Sequence, residues 1–520
     1  MTTISELAGA AWVRRLFFIL AVLYVVPFWT VRYLPTVDGP CHTYNAWVLR
    51  QHANVQEYPL FKQYYDVNLL PYPNWTGHGV MALLMFVVPP LVAEKLLVSG
   101  YVLLFLAGAW YLAGSVRPDQ RWPAFLAFFF PYNRFFQYGF YNFSISLAFY
   151  FFVLGFWWRH RERPDLRFAA GINLLLWLCW FSHILSFGLA LLSIAVLWLA
   201  TLRRASWRRH LLHVPILLPQ IALPLWFFRM QGSATQPVTR SYRALLDFLV
   251  PPQVLVAFTR SQLRLAAAVA MAFLVLAVLT LWRETLRRRD GKWPVPRQED
   301  AFLLLSVLMI GVYVFAPEGM SGGFLVTDRL SLFPYLLLIP WLAPRLGPRW
   351  RAAGVAVLTV AALVNLGYLI CWYRVLGEEV RHFVAGLEPV RPGSRVLSLL
   401  FSRNAIAEYS DVLSHATGYV ALEKGLIDWD NYEAKYSFFP VRFRDGVELP
   451  QIDGVALGPG SLLVRRNLST LDAIYTWQMS ENELLRRRLH RQHYARVAEQ
   501  YGGELFERRP LPPPAARDGG

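Results

Sequence analysis

Residues 345–373 read RLGPRWRAAGVAVLTVAALVNLGYLICWY: three arginines within seven positions, then an apolar run over 353–373. A run of about 20 apolar residues is long enough for a helix to cross a hydrocarbon core about 30 Å thick. Arginines gathered at one end of such a run mark the cytoplasmic side. Three more basic clusters lie between apolar segments, at Arg159 to Arg167, Arg203 to Arg209 and Arg283 to Arg297. The alternation predicts a polytopic membrane protein.

Composition agrees. Hydrophobic residues make up 56% of the 520 and charged residues 16%, with 20 Trp and 36 Phe. A soluble domain carries about 25% charge. The formal net charge is +17, but the basic residues are scattered among loops and form no stripe with interleaved aromatics. That distribution excludes a nucleic-acid partner. Cys41, Cys179 and Cys371 are too scattered for a disulfide framework or a thiolate metal site.

Apolar segments fall at 16–34, 76–92, 95–114, 120–133, 139–158, 168–181, 184–201, 213–228, 264–282, 301–316, 330–344 and 353–373. Arg14 and Arg15 precede the first, which reads as a retained signal anchor with its N-terminus inside. If 353–373 runs outward, the tail lies outside, and the number of crossings is odd. Segment 76–92 is the expected exception, because it begins among Asn74, Trp75 and His78 and ends in Pro89-Pro90. It is expected to dip into the outer leaflet and return, which leaves about eleven crossings.

The expected fold is therefore mainly α: a polytopic membrane helix bundle with a small extracytoplasmic α/β domain at the C-terminus. Its expected parts are a transmembrane domain over 1–374 that includes an outward loop at 35–75, an α/β domain over 375–510, and a disordered Pro-rich tail over 511–520. Strand-like runs occur at Arg395–Phe401, Lys435–Phe443, Ser461–Arg465 and Ala473–Trp477. Ser480 and Glu483 have capping-box spacing and predict a helix to about Tyr501.

Candidate chemistry gathers on the outward side. Asp38, in Pro35-Thr-Val-Asp-Gly-Pro-Cys-His42, stands where the first apolar segment ends. A carboxylate at such a boundary is desolvated, and its raised pKa suits a general base. An Asx turn or helix N-cap explains the same residue. Asp66 lies among Tyr64, Tyr65, Asn68 and Trp75, types that stack on and hydrogen-bond sugars and that also suit a headgroup belt. Its other reading is a solvated loop acid.

Arg329 sits in a Gly-rich outward turn at 316–330, where backbone amides and a guanidinium suit phosphate oxygens. Local pairing with Asp328 is the alternative. Arg134 and His183 fall in other outward turns, and polar groups at that depth are functional candidates. His42, His78 and Asp38 are placed to gather, yet there is no HExxH or close His/Asp set, so no metal is assigned and the cofactor is left open. Walker, Rossmann and nucleophile-elbow motifs are absent as well, which argues against a cytoplasmic nucleotide-sugar enzyme.

The layout of most of the chain resembles the GT-C superfamily of polytopic membrane glycosyltransferases. The points of likeness are a first helix ending in Asp38, a long outward loop with the Pro71-Tyr-Pro-Asn-Trp75 run, many short apolar helices and an outward terminal domain. The family carries an acidic pair in this loop. Here Asp38 is followed by Gly39, and Asp66 is the candidate for the second acid.

The resemblance implies transfer of a sugar from a polyprenyl-phosphate donor to a glycan, lipid or protein acceptor on the extracytoplasmic face of the inner membrane. Asp38 or Asp66 would be catalytic, with Arg329, Arg134 and His183 on the donor phosphate and His42, Trp75 and His78 on substrate. A transporter or flippase for a lipid-linked or small substrate is the alternative. Such proteins hold ionisable groups near the midplane and often repeat in halves, whereas these charges cluster at the boundary and no halves repeat.

The charge clusters generate a topological prediction. Reporter fusions after residues 165, 206, 290 and 348 should report cytoplasm and one after 400 the opposite side. A cytoplasmic signal after 400 would overturn the parity argument.

Overall fold

The computed structural model of the protein describes residues 4–203, 207–232, 234–237, 240–286, 297–320, 322–344, 346–401, 406–447, 470–479 and 483–509. Helices dominate. Among the described residues, eight are long and apolar enough to cross a membrane: Ala11–Trp29, Pro90–Val116, Tyr141–His160, Ile184–Thr201, Trp207–Gln231, Arg260–Trp282, Gln298–Phe315 and Pro348–Leu387. Their number and length are those of a membrane protein. Trp207–Gln231 buries only 17% of its most apolar window and Arg260–Trp282 only 28%, so both present broad apolar faces of the kind lipid covers.

Other apolar segments fold into shorter pieces. Segment 120–133 becomes a 3₁₀ helix over Trp122–Phe129, fully buried and about 16 Å long at its rise per residue. Segment 330–344 forms the short helix Leu332–Leu338, directly after the helix Val326–Leu330. In 76–92 a helix runs over Thr76–Leu84, and a new one opens at Pro90, where a missing N–H does no harm.

The chain divides into two compact units. The first takes Met1–Thr30, Pro71–Gly77 and Leu96–Trp372; the second takes Val31–Leu70, His78–Lys95 and Tyr373–Gly520. In the first, Ser146 Oγ donates to Ser186 Oγ at 2.6 Å, and Tyr150 OH pairs with Ser193 Oγ at 2.7 Å. Hydroxyl contacts of this kind join apolar helices where burial against lipid supplies no drive to associate.

The second unit holds a five-stranded sheet in the order Ile427–Asp428, Arg395–Leu400, Ala473–Trp477, Gly503–Arg508, Tyr494–Gln500. The first three strands are parallel and the last two antiparallel. The amphipathic helix Glu483–Arg491 buries Leu485 and Leu489 against Leu397, Leu399, Ile474 and Phe506.

This helix was expected to reach Tyr501 but stops at Arg491. His493 turns the backbone to a φ of 64°, and Tyr494 starts a strand. The charge pattern of 494–500 fits either state, and pairing with Gly503–Arg508 decides it. Tyr501 and Gly502, with φ of 53° and 83°, make the tight turn of that hairpin. The expected strand Ser461–Arg465, the Ser480 cap, most of the Arg283 to Arg297 cluster and the tail 511–520 lie outside the described residues.

Two helices of this unit position the site. Gly39–Gln51 packs against Thr417–Lys424, and Gly418 allows the approach: a Cβ there would lie 2.6 Å from the Pro40 carbonyl oxygen and 2.8 Å from its carbon. Backbone cannot swing aside as a side chain can. Gly418→Ala should therefore destabilise the protein by about 1–3 kcal/mol, read as a lowered Tm in detergent. An unchanged Tm would show that the two helices have room to separate.

Candidate functional site

Pro40 at the first turn of Gly39–Gln51 fixes a helical φ and leaves Asp38 in the N-cap position. The Asp38 side chain nevertheless makes no capping bond. Its Oδ2 accepts from Tyr432 OH at 2.8 Å, and its Oδ1 lies 3.7 Å from His415 Nε2. On the far side His415 Nδ1 stands 3.6 Å from Asp430 Oδ2. The Tyr432 ring covers the imidazole at a centroid distance of 4.8 Å.

Asp430 and Tyr432 leave the carboxyl end of the parallel strand Ile427–Asp428, while His415 lies just ahead of the helix Thr417–Lys424. There the Asp430 N–H donates to Asp428 Oδ1 at 2.9 Å, bending the chain into an Asx turn. Asp38 and His415 keep 12% and 13% of their side chains exposed, against 3% for Asp430, so solvent reaches the group at their end.

Burial pushes the Asp38 carboxyl up, against the charges of His415 and His42 and the Tyr432 hydrogen bond. Burial disfavours charged His415, but the carboxylate of Asp430 beside it and the charges of Asp38 and Asp428 outweigh that cost, and its pKa is pushed up to about 9. Burial, aided by the Asp430 charge, pushes Asp428 up to about 7. The arrangement pairs a proton-accepting carboxylate with a protonated imidazole and a phenol, the parts of an acid–base centre.

One helical turn after Asp38 comes a second, drier network. Glu433 places one carboxylate oxygen on His42 Nδ1 and the other 2.9 Å from His78 Nε2. The three side chains expose 0%, 6% and 1%. Asn45 Nδ2 donates to Glu433 Oε2 at 2.6 Å and to Asn431 Oδ1 at 3.0 Å, while Asn431 Nδ2 returns a bond to Asn45 Oδ1 at 2.7 Å. Tyr432 and Glu433 thus clamp Asp38 and His42 as successive rungs. His42, His78 and Glu433 are a group of the size and type that could hold a metal ion. No family model, curated protein or solved structure matches this chain. Function must be argued from these groups.

The remaining candidates have other partners. Asp66 sits on Tyr65–Val67, paired antiparallel with Val441–Phe443, and its carboxylate lies 3.9 Å from Arg442 and 3.5 Å from Arg444. These half-exposed ion pairs, and not the residues around Asp38, are its partners. In the first unit the Trp75 N–H donates to the Phe181 carbonyl at 2.8 Å, just ahead of His183. His183 caps Ile184–Thr201 through Nδ1, which accepts from the Leu185 N–H, and turns Nε2 to Arg329 Nη1 at 3.0 Å.

Arg329 also lies 4.4 Å over the Phe140 ring, while Asp328, its alternative partner, pairs with Arg240. The structure thus joins His183 to Arg329. Arg134 is bonded separately, to the Val256 carbonyl at 2.9 Å.

Sequence reasoning passed over His415, Asp430, Tyr432 and Glu433. A signal was present in Asp428-Trp-Asp-Asn-Tyr-Glu433, three acids in six residues with aromatics between them. Strand and helix periodicity in the tail carries no sign of that cluster.

A pH prediction follows from His415. Its folded pKa is raised, so its contribution to stability is complete below the unfolded value of about 6.5 and is lost as pH rises through 9. Wild type should lose on the order of 3 kcal/mol more than His415→Gln between pH 6.5 and 9.5, measured by chemical denaturation in detergent. Equal slopes would show that His415 is neutral in the folded protein.

Proposed function

We propose that the protein is a glycosyltransferase of the inner membrane, GT-C-like, with about eleven crossings and its C-terminal part on the extracytoplasmic side. It moves a sugar from a polyprenyl-phosphate donor to a glycan, lipid or protein acceptor. The observation that carries this reading is the environment of Asp38, a carboxyl raised by burial, without a capping bond, held by Tyr432 and facing His415 at the edge of solvent.

In this reading Asp38 takes the proton of an acceptor hydroxyl as its oxygen attacks the anomeric carbon. His415, charged and backed by Asp430, steadies the ionised carboxylate. The bond from the sugar to the donor phosphate breaks as the new bond forms, and the phosphate leaves with the electron pair. Cationic charge on the departing phosphate is part of this chemistry, and Arg329, which contacts His183, is the candidate the GT-C resemblance assigns to it. Asp66, bound between two arginines, has a structural part in this scheme.

Asp38→Asn keeps the shape and can still accept from Tyr432, but it cannot take a proton. Transfer of labelled sugar from a polyprenyl-phosphate carrier, in membranes with matched expression, should fall about 100- to 10,000-fold. Arg329→Ala should raise the KM for donor as well as lower kcat. Undiminished transfer by Asp38→Asn would remove Asp38 as the base. Substrate movement without transfer would favour the transporter.

A further inference from the structure

Glu433 is fully buried, and each of its two oxygens faces one imidazole nitrogen. The His42 and His78 rings stand nearly perpendicular, at 81° with centroids 5.1 Å apart, so their nitrogens converge from different directions. One ligand atom from each of the three residues lies within 4.8 Å of the other two. Zinc–nitrogen and zinc–oxygen bonds of about 2.0–2.2 Å put two ligands of one ion about 3–4 Å apart, so the 2.9 Å contact of His78 with Glu433, and that of His42, would open slightly as an ion enters between them.

The surroundings are those of ligands held in place from behind. Asn45 fixes a Glu433 oxygen and is itself fixed by Asn431. The Phe439 ring lies 6.5 Å from the His42 ring and 5.9 Å from that of His78, closing the group with apolar surface. Outer hydrogen bonds and an apolar wall of this kind orient metal ligands and raise affinity.

We propose that His42 Nδ1, His78 Nε2 and the Glu433 carboxylate hold a first-row divalent transition metal, zinc being the first to test. Two imidazoles and one carboxylate form a donor set for zinc or for non-haem iron, with further coordination positions left for water or another oxygen ligand. The ion joins three stretches of chain distant in sequence, those carrying His42, His78 and Glu433, and so stabilises the second unit against unfolding. The proposal is independent of glycosyl transfer, because its readout is metal content.

The full chain in detergent is stripped with chelator, incubated with zinc, cobalt(II), manganese(II) or iron(II), desalted and assayed by elemental mass spectrometry. Wild type should retain about one zinc per chain, with a raised Tm. Cobalt(II) should give visible bands of low coordination number that zinc abolishes. His78→Gln and Glu433→Gln should reduce uptake to background, and His490→Gln, on an exposed helix position, should not change it. Asn45→Ala should bind zinc about 10- to 100-fold more weakly.

Should either ligand variant fail to fold, the cobalt spectrum of wild type decides alone. Folded wild type that retains none of the four metals would overturn the proposal and leave the triad a metal-free hydrogen-bonded group. So would undiminished uptake in both folded ligand variants.

Discussion

A buried carboxylate has to be satisfied on both oxygens, and Glu433 sets that demand at the centre of the second unit. Removing a carboxylate from water costs several kcal/mol unless charge and hydrogen bonds replace the lost solvent. His42, His78 and Asn45 supply the replacement. None of the three is near Glu433 in sequence, so satisfying it folds the first loop onto the tail segment. The neighbouring contact, Tyr432 to Asp38, follows from the same register.

The two networks differ in their surroundings. Around Asp38 a phenol, an imidazole and acids meet at the edge of solvent. Around Glu433 the partners are drier and more tightly bonded, an environment for holding. Gly418 matters to both, because it sets how closely Thr417–Lys424 approaches the turn that carries Asp38.

Physical reasons explain what could be read in the sequence. Long apolar helices were legible because lipid demands a continuous run, and the charge-poor stretches 95–114, 139–158 and 184–201 each overlap one. Trp122–Phe129 was not legible as a short buried helix, since hydropathy alone does not separate protein interior from lipid. Asp38, His42 and His78 were noticed because they flank apolar segments. Glu433 was not, because its role depends on contacts 355 residues away. Asp66 carried the same local signal as Asp38, and only the strand pairing reveals the arginines beside it.

The distance in sequence across the second network also has a consequence in time. Asn45 and Glu433 are 388 positions apart, and His78 and Glu433 are 355 apart. At about 5–20 residues per second of synthesis, roughly 20 to 80 s pass between the emergence of the two histidines and that of the carboxylate. Throughout that interval the membrane helices emerge while His42 and His78 lack their acid. Completion of this unit is therefore a late event in biogenesis, and a nascent chain that stalls before residue 433 leaves its first loop without the contacts that fix it.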